Sequence, residues 1–110
     1  MVRIRWGDLQ PGRRDPNVRS LVVEGLRIAI CQTHLGYFAM RDCCPHKTVP
    51  LTRWGLLTQP TEMLCTLHGC QFDLTTGERS LASGKGCPRD RMQLDFIRVS
   101  EDGDELVLEV

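Results

Sequence analysis

Two short motifs constrain this 110-residue chain more than anything else in it: Cys44-Pro45-His46 and Cys65-Thr66-Leu67-His68. Each offers one thiol and one imidazole, and eighteen residues separate His46 from Cys65. These are metal-ligating side chains, and a fold that uses all four must bring two distant loops together. Zinc fingers usually pair Cys with Cys and His with His, whereas each loop here mixes the two. A structural zinc site is therefore the rival reading, and not the leading one.

Composition narrows the classes. Length suits one compact domain, 1–110. The formal net charge is zero, so no basic excess points to nucleic acid or to an anionic membrane surface. Aromatic residues make up 5%, which argues against a base-stacking platform. No run of apolar residues is long enough to span a membrane. The N-terminal stretch lacks the apolar segment of a secretory signal, and Arg13-Arg14 is followed by Asp15-Pro16-Asn17 rather than an apolar run. The expected location is the cytoplasm. Thiols stay reduced there, so six cysteines point to metal rather than to disulfides.

Short strand-like runs cover both ends. They lie at 19–24, 26–32, 35–40, 92–99 and 105–110, with bends at Glu24-Gly25, His34-Leu35-Gly36 and Glu101-Asp102-Gly103-Asp104. Their Val, Ile and Leu content and the Gly or Asp at the bends predict antiparallel hairpins. No long helical period appears, and an all-β domain is expected. Between the hairpins, a segment of about 42–88 holds four prolines and five of the six cysteines. It reads as functional loops without regular structure.

A 2Fe–2S cluster with two Cys on one iron and two His on the other needs this donor set. Neutral imidazoles in place of two thiolates remove negative charge, so reduction costs less than in an all-Cys cluster. The free imidazole nitrogens can also carry a proton and couple reduction to pH.

The run from Cys65 to Gly77, Cys-Thr-Leu-His-Gly-Cys-Gln-Phe-Asp-Leu-Thr-Thr-Gly, closely resembles the second cluster loop of Rieske-type ferredoxins. Cys44-Pro-His-Lys-Thr-Val-Pro-Leu51 resembles their first. Tyr37-Phe38-Ala39-Met40 is similar to the strand entering the first loop, Gly86-Cys87-Pro88 to the proline-bearing loop over the cluster, and 94–110 to the closing hairpin. The resemblance implies a Rieske-like antiparallel β-sandwich with an inserted cluster-binding subdomain at about 42–88. It also implies one 2Fe–2S cluster held by Cys44, His46, Cys65 and His68. Thr48 stands where the family usually has Gly, so that turn is expected to differ. The spacing between the motifs is slightly long, with room for extra residues near Arg53-Trp54.

Respiratory and photosynthetic members carry a disulfide between the two loops. The matching positions here are Val49 and Leu67, which excludes that bridge. Their cluster-side Ser and Tyr hydroxyls are replaced by Cys70 and Phe72. Fewer hydrogen bonds to sulfur disfavour the reduced state, so a soluble, disulfide-free, low-potential kind is expected.

Cys31 reads as a small core residue, and Cys43, Cys70 and Cys87 as packing around the cluster. A Cys43–Cys70 bridge has nothing but proximity behind it. His34 reads as solvated, and Lys47, Arg53, Arg89 and Arg91 as surface charge, with Lys47 placed to meet an acidic partner. Asp73 and Thr76 read as caps of the turn ending at Gly77.

The resemblance implies a one-electron carrier between a flavoprotein reductase and a terminal oxygenase. An alternative is a redox subunit bound stably to a larger enzyme of the nitrite reductase kind. Independent oxygenase activity needs a two-His-one-carboxylate iron site. The chain has three histidines, and two are committed to the cluster, so an electron-transfer protein rather than an enzyme is expected.

Overall fold

A computed structural model describes residues 1–58 and 61–110. Among the described residues, eleven strands run as β1 (Val2–Arg5), β2 (Gln10–Pro11), β3 (Val18–Val23), β4 (Leu26–Thr33), β5 (Gly36–Arg41), β6 (Gly55–Thr58), β7 (Glu62–Cys65), β8 (Cys70–Asp73), β9 (Phe96–Ile97), β10 (Val99–Asp102) and β11 (Glu105–Leu108). A 3-10 turn covers Trp6–Asp8, and one short helix, α1, covers Leu51–Trp54. The strands form three antiparallel sheets, ordered β1-β11-β10, β2-β3-β4-β5-β9 and β6-β7-β8.

The alternation of side chains along β4 explains how the sheets stack. Ile28 and Ile30 point to one side and join Leu9, Ala39, Leu106 and Leu108 in a core against the terminal sheet. Ala29 and Cys31 point to the other side and join Met40, Met63, Cys65, Cys70 and Phe72. β5 divides the same way, with Tyr37 and Ala39 on one face and Phe38 and Met40 on the other. The middle sheet is thus covered on both faces, which is why its strands read as nearly continuous apolar runs.

The turns obey local chemistry. β3 and β4 are joined by Glu24 and Gly25, both at positive φ (49° and 84°), the backbone that a two-residue hairpin requires. The hairpin of β10 and β11 turns at Gly103, also at positive φ.

Two expectations need correction. The segment 42–88 is not devoid of regular structure: it contains α1 and the whole β6-β7-β8 sheet. These strands are four residues each and are separated by turn residues, so they lacked the length that makes a strand visible in sequence. The expected single run at 92–99 is also broken. β9 pairs with β5, whereas β10 pairs with β11. The terminal strand β1, which lies beside β11, was not expected.

Candidate metal centre

The two motifs end up side by side on loops anchored by the small sheet. The first loop leaves β5 through Asp42, whose buried carboxylate accepts the backbone N–H (2.9 Å) and the hydroxyl (2.6 Å) of Thr52 and faces Arg27 at 3.4 Å. This ties the end of β5 to α1 and closes the loop as a unit. Inside it, the Cys44 N–H donates to Val49 O (2.9 Å) and the Val49 N–H to Lys47 O (2.6 Å). Thr48 takes the place of glycine without strain, because Glu24 is the sole non-glycine residue at positive φ among the described residues. Arg53 and Trp54 lie in α1.

The second loop follows β7. Thr66 donates both its N–H (2.8 Å) and its hydroxyl (2.7 Å) to Trp54 O, and the Gly69 N–H closes the turn on Cys65 O (2.9 Å). Gly69 sits at φ +76°, a conformation that favours glycine. A third segment, 84–88, lies over this loop. The Gly84 N–H donates to Gly69 O (2.8 Å), and a Cβ on Gly86 would come within 2.9 Å of His68 O. Gly86 therefore permits a close approach that any side chain would obstruct.

Cys44 and Cys65 are both buried, with their thiols near enough to shift each other's titration. That proximity, with backbone N–H groups of His46 and Lys47, draws the Cys44 thiol down to about 6. The same proximity, with burial, pushes the Cys65 thiol up, against the pull of the Leu67 and His68 N–H groups. His46 and His68 form a matching pair, with ring centroids 4.7 Å apart and planes at 78°. Burial, then His68 and Lys47, lower the His46 pKa.

Both histidines are half-buried, yet each Nδ1 is fully buried without a hydrogen-bond partner. With Arg79 Nε, they are the orphaned buried side-chain nitrogens and oxygens among the described residues. A buried polar atom without a partner is costly, so two on adjoining rings mark a place for a group that would accept them. No three His, Cys, Asp or Glu side chains converge as a single-ion site would require among the described residues. Cysteines pair with each other, and histidines with each other. Such an arrangement offers two donors to each of two metals.

The family model of the Rieske [2Fe-2S] domain matches residues 4–100. The chain belongs to that family. A Rieske domain holds one 2Fe–2S cluster with mixed Cys and His ligation, and two orphaned Nδ1 atoms on adjoining rings, together with two buried thiols, fit that cofactor. Similar solved structures include the ferredoxin of carbazole 1,9a-dioxygenase from Nocardioides aromaticivorans, at 20% identity and TM-score 0.71 over 98% of this chain and 97% of that one. A putative nitrite reductase NADPH small subunit matches at 20% identity and TM-score 0.70, over 100% of both chains. A chain from a complex of reduced oxygenase and oxidized ferredoxin in carbazole 1,9a-dioxygenase matches at 22% identity and TM-score 0.72, over 98% of this chain and 100% of that one. At these identities the likeness is one of fold. A search of curated protein sequences gives no match.

One reading of this Rieske domain is corrected. Cys70 and Cys87 are not free packing residues but a disulfide, with Cα atoms 4.9 Å apart. Cys43 stays free, so the Cys43–Cys70 bridge is ruled out, as is a disulfide-free cluster region. The bridge joins β8 to the segment over the second loop, a pairing invisible until both are placed in space. Other readings hold. Cys31 is fully buried in the core and His34 is exposed. Asp73 Oδ1 accepts the Thr75 N–H (2.8 Å) and hydroxyl (2.6 Å), and Thr76 Oγ1 accepts the Glu78 N–H (3.2 Å).

Proposed function

We propose that Cys44, His46, Cys65 and His68 hold the 2Fe–2S cluster and that the protein is a one-electron carrier. The observation that carries this is the pair of buried, partnerless Nδ1 atoms on the adjoining rings of His46 and His68. When bound, the cluster supplies a one-electron site whose potential lies above that of an all-Cys cluster. The protein's own groups do the rest. Backbone N–H groups of His46, Lys47, Leu67 and His68 face the two sulfurs and stabilise negative charge on them. Since each Nδ1 is buried, the exposed part of each half-buried ring is its other edge, the natural exit toward a partner.

The reading extends to a flavoprotein reductase as donor and a terminal oxygenase as acceptor. It has support from the fold shared with the carbazole dioxygenase ferredoxin. It includes a single 1–110 domain with its cluster-binding part at about 42–88, a cytoplasmic setting, and no role for nucleic acid. No described helix is long and apolar enough to cross a membrane. His34 lies exposed in the β4–β5 turn, so the three histidines cannot also build a mononuclear iron site, and the chain acts as a component rather than as an enzyme. The end-to-end match to a nitrite reductase small subunit favours a second reading, a subunit held stably by a larger enzyme.

EPR of the reduced protein tests the proposal. The average g value should fall below that of an all-Cys cluster, and His46→Ala or His68→Ala should abolish the signal. A colourless, zinc-loaded protein, or a signal that survives both substitutions, refutes it. Isolation as a stable complex would decide for the second reading.

A further inference from the structure

The molecule's charges are unevenly satisfied. Its ion pairs engage Arg3, Arg5, Arg27, Arg41 and Arg98. Arg13, Arg14 and Arg53 have no such partner among the described residues, although they stand together. Arg14 and Arg53 both lie over the Trp54 ring, with guanidinium carbons 4.9 and 5.3 Å from its centroid. With Arg13 they line a surface hollow of about 400 Å³ whose wall contains no acidic residue. Asp15, the nearest carboxylate along the chain, is spent on the N–H groups of Asn17 and Leu57, each at 2.9 Å.

We propose that Arg13, Arg14, Arg53 and Trp54 form a docking surface for a carboxylate-rich face of the protein's redox partner. The proposal rests on the electron-carrier reading. A guanidinium stacked on an indole keeps its in-plane N–H donors free, and that fork matches a carboxylate. Gathering three cations without a counter-ion is unfavourable in the free protein, so an incoming anionic surface relieves it.

The position of the surface supports the same occupant. Trp54 O accepts both hydrogen bonds of Thr66, the residue after Cys65. The Arg13 N–H donates to Thr52 O at 3.0 Å, which fixes the basic segment on α1. The surface is therefore built on the scaffold of both cluster loops. The acidic side chains of 101–110, by contrast, are mostly matched: Asp102, Asp104, Glu105 and Glu109 pair with Arg3, Arg5 and Arg98. A molecule of zero net charge can thus still be turned by an acidic partner, since such fields steer encounter and orientation.

The test uses the cluster-loaded protein and an octaglutamate peptide, with binding read by calorimetry at about 10 mM salt, where screening is weak. The peptide should bind, and the double variant Arg14→Glu/Arg53→Glu should weaken it by about tenfold or more. Arg3→Glu/Arg98→Glu, the same change of four charges in and beside the terminal sheet, should leave binding within about twofold. Unaltered binding by the double variant overturns the proposal. So does displacement of the peptide by inorganic phosphate at matched charge, which would mark a small-anion site. The readout does not use the cluster. Failure of the carrier reading would instead show as a missing Rieske EPR signal in the unsubstituted protein, and the two failures are told apart.

Discussion

Cys65 and Cys70 face each other as cross-strand partners on β7 and β8, and Cys70 alone of the two is bonded to another sulfur. Directly opposed residues share one face of the sheet. The disulfide to Cys87 therefore lies next to one proposed ligand and staples the segment 84–88 over the loop that carries His68.

Breaking the staple should cost stability without removing a ligand. The bridge closes a separation of 17 residues, for which chain entropy gives about 3 kcal/mol. Cys87→Ser should lower the stability of the cluster-loaded protein by about 2–3 kcal/mol on that scale. Denaturant unfolding, with and without a thiol reductant, measures it. The Rieske EPR signal should persist in the variant. An unchanged midpoint would show that the two sulfurs are not joined in solution, as a reducing cytoplasm would favour.

Thiol reactivity should sort the remaining cysteines. Cys31 is fully buried, and burial followed by the charges of Asp15 and Asp42 pushes its pKa far up. Cys43 is half-buried, and its pKa is raised chiefly by burial. In the folded, cluster-loaded protein, iodoacetamide at pH 8 should therefore modify Cys43 slowly and leave Cys31 untouched, since the thiolate is the reactive form. Peptide mass mapping reads the outcome, and labelling of Cys31 without unfolding would contradict it.

The parts legible in sequence are those whose chemistry is local. Cys44, His46, Cys65 and His68, the proposed ligands, stand out in sequence because mixed metal donors at fixed spacing have few other uses. The β3–β4–β5 meander showed because Glu24-Gly25 and the apolar runs beside it are short-range signals. The β6-β7-β8 sheet did not show, since strands of four residues among glycines and prolines carry little period. The Cys70–Cys87 bridge and the stacking of Arg14 and Arg53 on Trp54 join residues far apart in the chain, and no spacing rule specifies them.

The turn after β8 should respond to acid. Hydrogen bonds from the Thr75 hydroxyl, then the Thr75 N–H, hold the Asp73 carboxyl below its usual value of 3.8. A depressed folded pKa means that the carboxylate contributes stability above the unfolded value and loses it as pH falls through the folded one. The turn should thus stay closed down to about pH 4 and loosen below it. NMR titration of the Asp73 side chain should give a midpoint under 3.8, and Thr75→Ala should move it back up. A midpoint that ignores Thr75→Ala would disprove the capping role.

The potential should lie toward the low end for the cluster type. The sulfurs of Cys44 and Cys65 face backbone N–H groups, but two side-chain donors are lacking. Cys70 is bonded to Cys87 and has no proton to give, and Phe72 is fully buried in the same core as Cys44 and Cys65 without a hydroxyl. Each missing hydrogen bond leaves the reduced, more negative state less stabilised, so the midpoint should fall nearer about −150 mV than +300 mV. Phe72→Tyr introduces one hydroxyl into the core that holds Cys44 and Cys65. One such bond contributes about 1 kcal/mol, which for a single electron is about 40 mV upward. Redox titration followed by EPR measures both quantities. A midpoint well above zero in the unsubstituted protein, or a Phe72→Tyr variant with an unshifted potential, would show that hydroxyl donors do not set the potential here.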